Sequence, residues 1–205
     1  MLTDLPNLLT LSRIAAIPLL VLLVAVRDPR ADFAASMVFA LAGITDYFDG
    51  HFARSLAQVS SIGRMLDPIA DKLLVGATLM VLAGEGHLTP WGLFPAIVIM
   101  MREILVSGLR EFLAGVRVGL PVTNLAKWKT GFQMGALGAL VAGDAGARVV
   151  HLAFLHVADI GLAMLWVAAF LTLFTGWDYL IAGIHHAGAP STGAPPASAG
   201  PKVGP

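Results

Sequence analysis

The sequence has no cysteine and little charge. Without thiols it has no disulfide, no thiolate metal site and no redox motif. Lysine, arginine, aspartate and glutamate make up 13% of its 205 residues, against about 25% in a soluble domain. Hydrophobic residues make up 57%. That balance places the chain in the membrane class. Thirteen basic and thirteen acidic residues cancel, so no global basic field is available to hold nucleic acid. The N-terminus lacks the positive charges of a cleavable signal, and its first apolar run is too long for one.

What is present is a set of long apolar runs. A spanning helix needs about 20 mostly apolar residues. Six candidates fall at about 7–26, 33–54, 67–83, 91–113, 125–142 and 159–181. Pro18 is expected to kink the first, and residues 1–6 read as an interfacial lead-in. Residues 151–158 read as an amphipathic piece lying on the membrane. The expected architecture is all-α: a polytopic membrane protein with six transmembrane helices, its body covering 1–186. The Pro/Gly/Ala-rich tail at 187–205 cannot bury a core and is expected to be disordered. With six spans, Arg54, Arg64, Lys72, Arg110, Arg117, Lys127, Lys129 and Lys202 collect on one side. Arg27, Arg30 and Arg148 fall on the other. The richer side is expected to face the cytoplasm.

Against this apolar background stands TDYFDGHFARSLAQVSSIGRMLDPIADK, residues 45–72. It carries four aspartates: Asp46, Asp49, Asp67 and Asp71. On a helix, Asp46, Asp49, Gly50, Ala53 and Arg54 share a face, and so do Asp67 and Asp71, one turn apart. Pro68 suits a first helical turn capped by Asp67; alternatively the helix starts near Ser61 and kinks at Pro68. Ionisable groups at membrane depth are costly and point to function. Four carboxylates close together repel, and a divalent cation relieves that repulsion. Oxygen ligands without cysteine or histidine favour Mg²⁺, Mn²⁺ or Ca²⁺ over zinc. Four carboxylates have the capacity for two ions, an arrangement that clamps the attacking and leaving oxygens of a phosphoryl displacement. Gly50, Ala53 and Gly63 lack bulk and let a nucleotide or diphosphate approach the backbone. The plainer reading is that the acids pair with Arg54, Arg64 and Lys72 at the interface.

The pattern D-x2-D-G-x2-A-R-x8-G-x3-D-x3-D is met at every fixed position: Asp46, Asp49, Gly50, Ala53, Arg54, Gly63, Asp67 and Asp71. It resembles the signature of the CDP-alcohol phosphotransferase family. The resemblance implies a six-helix membrane enzyme, usually a homodimer, that uses divalent metal (Mg²⁺ or Mn²⁺) to displace CMP from a CDP-linked lipid with an alcohol. It implies metal ligation by Asp46, Asp49 and Asp67. Asp71 is then near the metal and is the base on the attacking hydroxyl.

The acceptor must be read elsewhere. Arg102 and Arg110 are eight residues apart and share a helix face, with Ser107 turned partly away. Lys127 and Lys129 follow after the next loop. Two arginines and two lysines suit a second anionic group, arginine by bidentate contact and lysine as a point charge. The plainer reading makes the lysines membrane anchors and pairs Arg102 with Glu103 or an aspartate. The strings R-E-I-L-V-S-G-L-R-E and K-W-K-T-G-F-Q-M, with the opening D-L-P-N-L-L-T-L-S-R-I-A-A-I-P, are similar to the bacterial phosphatidylglycerophosphate synthase branch of the family. That resemblance implies CDP-diacylglycerol and sn-glycerol 3-phosphate as substrates, in the bacterial inner membrane with the site facing the cytoplasm. Inositol phosphate and phosphatidylglycerol are alternative acceptors. A divalent-cation transporter with an acidic cavity is an alternative outside enzymes, as is a scaffold with a decayed site.

Asn7, Thr10 and Arg13 recur every third residue along the first helix. They either face the cavity and touch the nucleotide or diphosphate, or form the helix entry with Asn7 as cap. The residues expected to meet the CDP-lipid are Asn7, Thr10, Arg13, Asp46, Gly50, Ala53, Arg54 and Gly63. Gly135, Gly138 and Gly143 suggest close helix packing. His185 and His186 are expected after the last helix, near the headgroups.

Overall fold

A computed structural model describes residues 5–56, 61–115, 124–152 and 154–187. Side chains are described for these except 5–6, 46–56, 61–62, 64, 124, 178 and 182–187. Among the described residues six helices follow in order: α1 Leu5–Ala25, α2 Pro29–Leu56, α3 Ser61–Gly84, α4 Pro90–Gly115, α5 Asn124–Val149 and α6 Val157–Ala187. No strand occurs among the described residues. Among the described residues, three segments, Asn7–Ala25, Pro90–Gly115 and Val157–Ile181, are long and apolar enough to cross a membrane by themselves. Arg117, Lys202 and the tail beyond residue 187 lie outside the described residues.

Local chemistry explains where the helices begin and end. Pro29 opens α2, and Asp28 caps it: its carboxylate accepts from the backbone N–H of Arg30 at 3.0 Å and of Ala31 at 3.3 Å. α3 ends because Gly86 takes φ +78°, which turns the backbone N–H groups of His87 and Leu88 onto the carbonyl of Leu82. α6 borrows its cap: the carboxylate of Asp144 accepts from the N–H of Ala158 at 3.0 Å.

Several boundaries differ from the sequence reading. α1 begins at Leu5, inside the expected lead-in. α3 starts at Ser61 and carries Pro68 inside it, the second of the two starts considered. α5 does not stop at 142 but runs to Val149 through a kink at Gly143, whose φ of 55° only glycine adopts readily. Gly143 therefore bends the helix and is not a packing position: a Cβ there would meet nothing within 4 Å. Gly135 and Gly138 do pack, beneath Met164 and Phe39. Of the segment expected to lie on the membrane as an amphipathic piece, residues 151–152 and 154–156 form turns and irregular chain, and 157–158 already belong to α6, which the Asp144 cap starts at Val157. α6 in turn runs past 181, so His185 and His186 lie within it rather than after it.

The core joins Leu20 and Val24 of α1, Phe39 of α2, Leu74, Leu79 and Leu82 of α3, Ile99 of α4, Leu137 and Val141 of α5, and Leu165 of α6. α5 and α6 pack most closely: a Cβ on Gly161 would lie 3.1 Å from the backbone nitrogen of Leu140. The α1–α2 and α3–α4 turns share one end of the bundle, joined by Arg27 Nε to Glu85 at 2.5 Å. The N-terminal part of α3 and the C-terminal part of α4 therefore lie toward the opposite end.

Candidate active site

α1 and α3 run side by side in the same direction, and their polar residues rise in step. Thr10 Oγ1 donates to Asp67 Oδ1 at 2.5 Å. One turn on, Arg13 Nη1 donates to Asp71 Oδ1 at 2.6 Å. The i, i+3 spacing on α1 thus meets the i, i+4 spacing on α3. Asn7, Thr10 and Arg13 are each at most 1% exposed, whereas the Asp71 side chain is 51% exposed. The α1 residues lie within the protein, and Asp71 also borders open space. Gly63 is buried in the first turn of α3.

That open space is a cavity of about 1280 Å³ lined by α2, α3, α4, α5, the turn after α5, and Val157 and Tyr179 of α6. It exceeds the usual range for small-molecule pockets, about 300–1,000 Å³. Most of its wall is apolar, including Phe39, Leu74, Val75 and Met134. Its charges are Lys72, Arg102, Arg110, Lys127 and Lys129 against Asp71 and Glu103. Five cations against two carboxylates give a positive wall beside an aspartate. Gly43 and Ile44 line the same cavity; Asp46 and Asp49 follow them on the next turns of α2, and their side chains lie outside the described residues. The same holds for Ala53, Arg54 and Arg64 and for the surroundings of Gly50.

Each cation is held in a particular way. Glu103 is the hub: Lys129 donates to its carboxylate, and Arg102 Nη1 lies 3.6 Å from the same oxygen. Arg102 Nη2 also donates to Thr175 Oγ1 at 3.1 Å. Arg110 Nη2 donates to the phenol oxygen of Tyr179 at 3.1 Å, and its guanidinium carbon lies 5.4 Å from the ring centre. Lys72 donates to Ser107 and ties α3 to α4. Lys127 is exposed on the cavity rim.

The structure therefore brings Asp71, Arg102, Arg110, Lys127 and Lys129 to one cavity and sets Thr10 and Arg13 against Asp67 and Asp71. Lys72, Glu103, Ser107, Thr175 and Tyr179 were missed as site residues. Lys72 had a signal, since it directly follows Asp71. Tyr179 had another: it is one of only two tyrosines in the chain.

An all-helical membrane protein with an aspartate beside a cationic wall in a large cavity is the class defined by this fold and site. A model of the CDP-alcohol phosphatidyltransferase family matches residues 3–174. A protein of Rickettsia bellii named CDP-diacylglycerol--glycerol-3-phosphate 3-phosphatidyltransferase is 48% identical over 176 residues, spanning 86% of this chain and 93% of that protein. Proteins of the same name from Cereibacter sphaeroides and Bacillus subtilis are 40% and 38% identical, again spanning 86% of this chain and 93% of theirs. The chain belongs to the CDP-alcohol phosphatidyltransferase family.

Proposed function

We propose that this protein transfers the phosphatidyl group of CDP-diacylglycerol to sn-glycerol 3-phosphate, giving phosphatidylglycerol phosphate and CMP. The observation that carries the acceptor is the convergence of Lys72, Arg102, Arg110, Lys127 and Lys129 on the cavity that Asp71 faces. An acceptor without a phosphate would leave that wall uncompensated. The relatives' name supports the same reaction.

In this reading all six helices cross the bacterial inner membrane, with the site at the cytoplasmic end. The shortest, α1, has 21 residues and is about 32 Å long, enough for a hydrocarbon core of about 30 Å. Residues 1–186 form the catalytic body, and two copies form a homodimer.

The donor set fits a hard divalent cation. Asp67 and Asp71 present carboxylate oxygens one turn apart, with the Thr10 hydroxyl beside Asp67, and the chain has no thiol to compete. Asp46, Asp49, Asp67 and Asp71 would hold Mg²⁺ or Mn²⁺, in two sites. Such ions, when bound, supply charge neutralisation of the diphosphate. The remaining work falls to the chain's own groups. Asn7, Thr10, Arg13, Gly50, Ala53, Arg54 and Gly63 flank the nucleotide and diphosphate. The guanidinium of Arg13 fixes the direction of the Asp71 carboxylate. Arg102, Arg110, Lys127 and Lys129 hold the acceptor phosphate and bring its primary hydroxyl to Asp71, which takes the proton. The hydroxyl oxygen forms a bond to the lipid-side phosphorus, and the bond to CMP breaks. The rate gain comes from orientation and fixed charge.

The test is CMP release by the purified protein with Mg²⁺ and CDP-diacylglycerol, offering glycerol 3-phosphate, inositol phosphate, serine or phosphatidylglycerol in turn. Release with glycerol 3-phosphate alone is expected. Release with serine or phosphatidylglycerol instead would overturn the acceptor assignment.

A further inference from the structure

Arg102 and Arg110 are eight residues apart on α4, about 12 Å along its axis. Their anchors on α6, Thr175 and Tyr179, are four residues apart, about 6 Å. The two side chains therefore lean toward each other as they leave α4. We propose that Thr175, Gly176 and Tyr179 form a seat on α6 that positions Arg102 and Arg110 as a convergent pair for the acceptor phosphate. The inference rests on the acceptor reading above and extends it to a helix that carries none of the family signature.

Each member of the seat has a distinct task. The Thr175 hydroxyl donates to the carbonyl of Leu171 at 2.8 Å, so its proton is committed to its own helix. What remains is a lone pair of fixed direction, and Arg102 donates to it. Tyr179 holds Arg110 through its phenol oxygen while its ring lies close to the guanidinium. Thr175 and Tyr179 are 3% and 7% exposed, so neither side chain is free to wander. Gly176 leaves the passage: a Cβ there would stand 3.3 Å from Arg102 Cγ and 3.5 Å from its Nε. Two guanidiniums drawn together repel, and Glu103 at 3.6 Å offsets only one of them. A dianionic phosphate entering the cavity would meet both, in the bidentate geometry that arginine offers. Thr175, Gly176 and Tyr179 act through the arginines and are positioning residues.

The experiment is steady-state kinetics of CMP release by the full-length protein with Tyr179→Phe, Thr175→Val and Thr175→Ser, varying each substrate separately. Tyr179→Phe and Thr175→Val are expected to raise KM for glycerol 3-phosphate about 10- to 150-fold, the scale of one hydrogen bond to a charged group. KM for CDP-diacylglycerol should stay at the wild-type value, while loss of a buried hydrogen-bond partner lowers the melting point modestly. Thr175→Ser keeps the hydroxyl and should restore KM for glycerol 3-phosphate to within about twofold. Unchanged KM in Thr175→Val, or equal rises in both KM values, would overturn the seat. If the wild-type protein releases CMP only with an acceptor lacking phosphate, the acceptor reading falls and takes the seat with it. If the wild type uses glycerol 3-phosphate and the variants match it, the seat alone falls.

Discussion

Replacing Arg13 by methionine removes the guanidinium that holds Asp71 and keeps much of the side chain's bulk. Arg13 is 1% exposed and donates to Asp71 at 2.6 Å. Breaking a fully buried ion pair costs about 3–5 kcal/mol. Here the Asp71 side chain is 51% exposed, so water replaces part of what the carboxylate loses. The loss then falls in the range of a hydrogen bond to a charged group, about 1.5–3 kcal/mol. If that interaction serves to hold Asp71 in the direction needed for proton transfer, kcat falls roughly 10- to 150-fold. Asp71→Asn should abolish turnover and also destabilise the protein, because it leaves a buried guanidinium facing a neutral amide. The double variant Arg13→Met, Asp71→Asn should then unfold at a higher temperature than Asp71→Asn alone, since it also removes the guanidinium that lost the Asp71 charge. CMP release under saturating substrates gives the first quantity, and fluorescence-monitored melting in detergent gives the second. An Arg13→Met enzyme within twofold of wild-type kcat, or a double variant less stable than Asp71→Asn, would refute the reasoning.

Three further outcomes follow from the same geometry. Glu103→Gln should lower stability by about 3–5 kcal/mol, because Lys129 is only 6% exposed and loses its anionic partner; adding Lys129→Met should recover part of the loss in the same melting assay. Gly161→Val should cost about 1–3 kcal/mol by overpacking, since its Cβ would lie 3.1 Å from a backbone nitrogen of α5 that has little room to move. Chelation with EDTA should stop CMP release, and Mg²⁺ or Mn²⁺ should restore it where zinc does not.

The six helices were legible because their apolar runs are long and punctuated. Their ends were less so, and the physical reasons are local. Asp28 with Pro29 starts α2 four residues before the apolar run does. Gly143 bends α5 instead of ending it. Asp144 caps a helix that begins more than ten residues later. A cap supplied from across a turn leaves no pattern at the position it serves.

The polar residues of α1 and α3 were legible as faces, because i, i+3 and i, i+4 spacings fix which side chains rise together. The spacings did not reveal that the two faces meet each other, Thr10 on Asp67 and Arg13 on Asp71. The role of Glu103 as hub was visible only as one possible partner for Arg102; its bond to Lys129 depends on how α4 and α5 pack. Thr175 and Tyr179 left the weakest trace. α6 is apolar nearly all round, so no periodic face marks the side it turns toward the arginines.

The central claim is that Asp71 and the facing cations carry out one displacement, phosphatidyl transfer to glycerol 3-phosphate. The most direct measurement follows the fate of labelled glycerol 3-phosphate, incubated with CDP-diacylglycerol, Mg²⁺ and the purified protein. Label should appear in a lipid with two phosphates, one for each CMP released, and Asp71→Asn should give neither product. CMP release without label in lipid, or lipid labelled at the wild-type rate by Asp71→Asn, would contradict it.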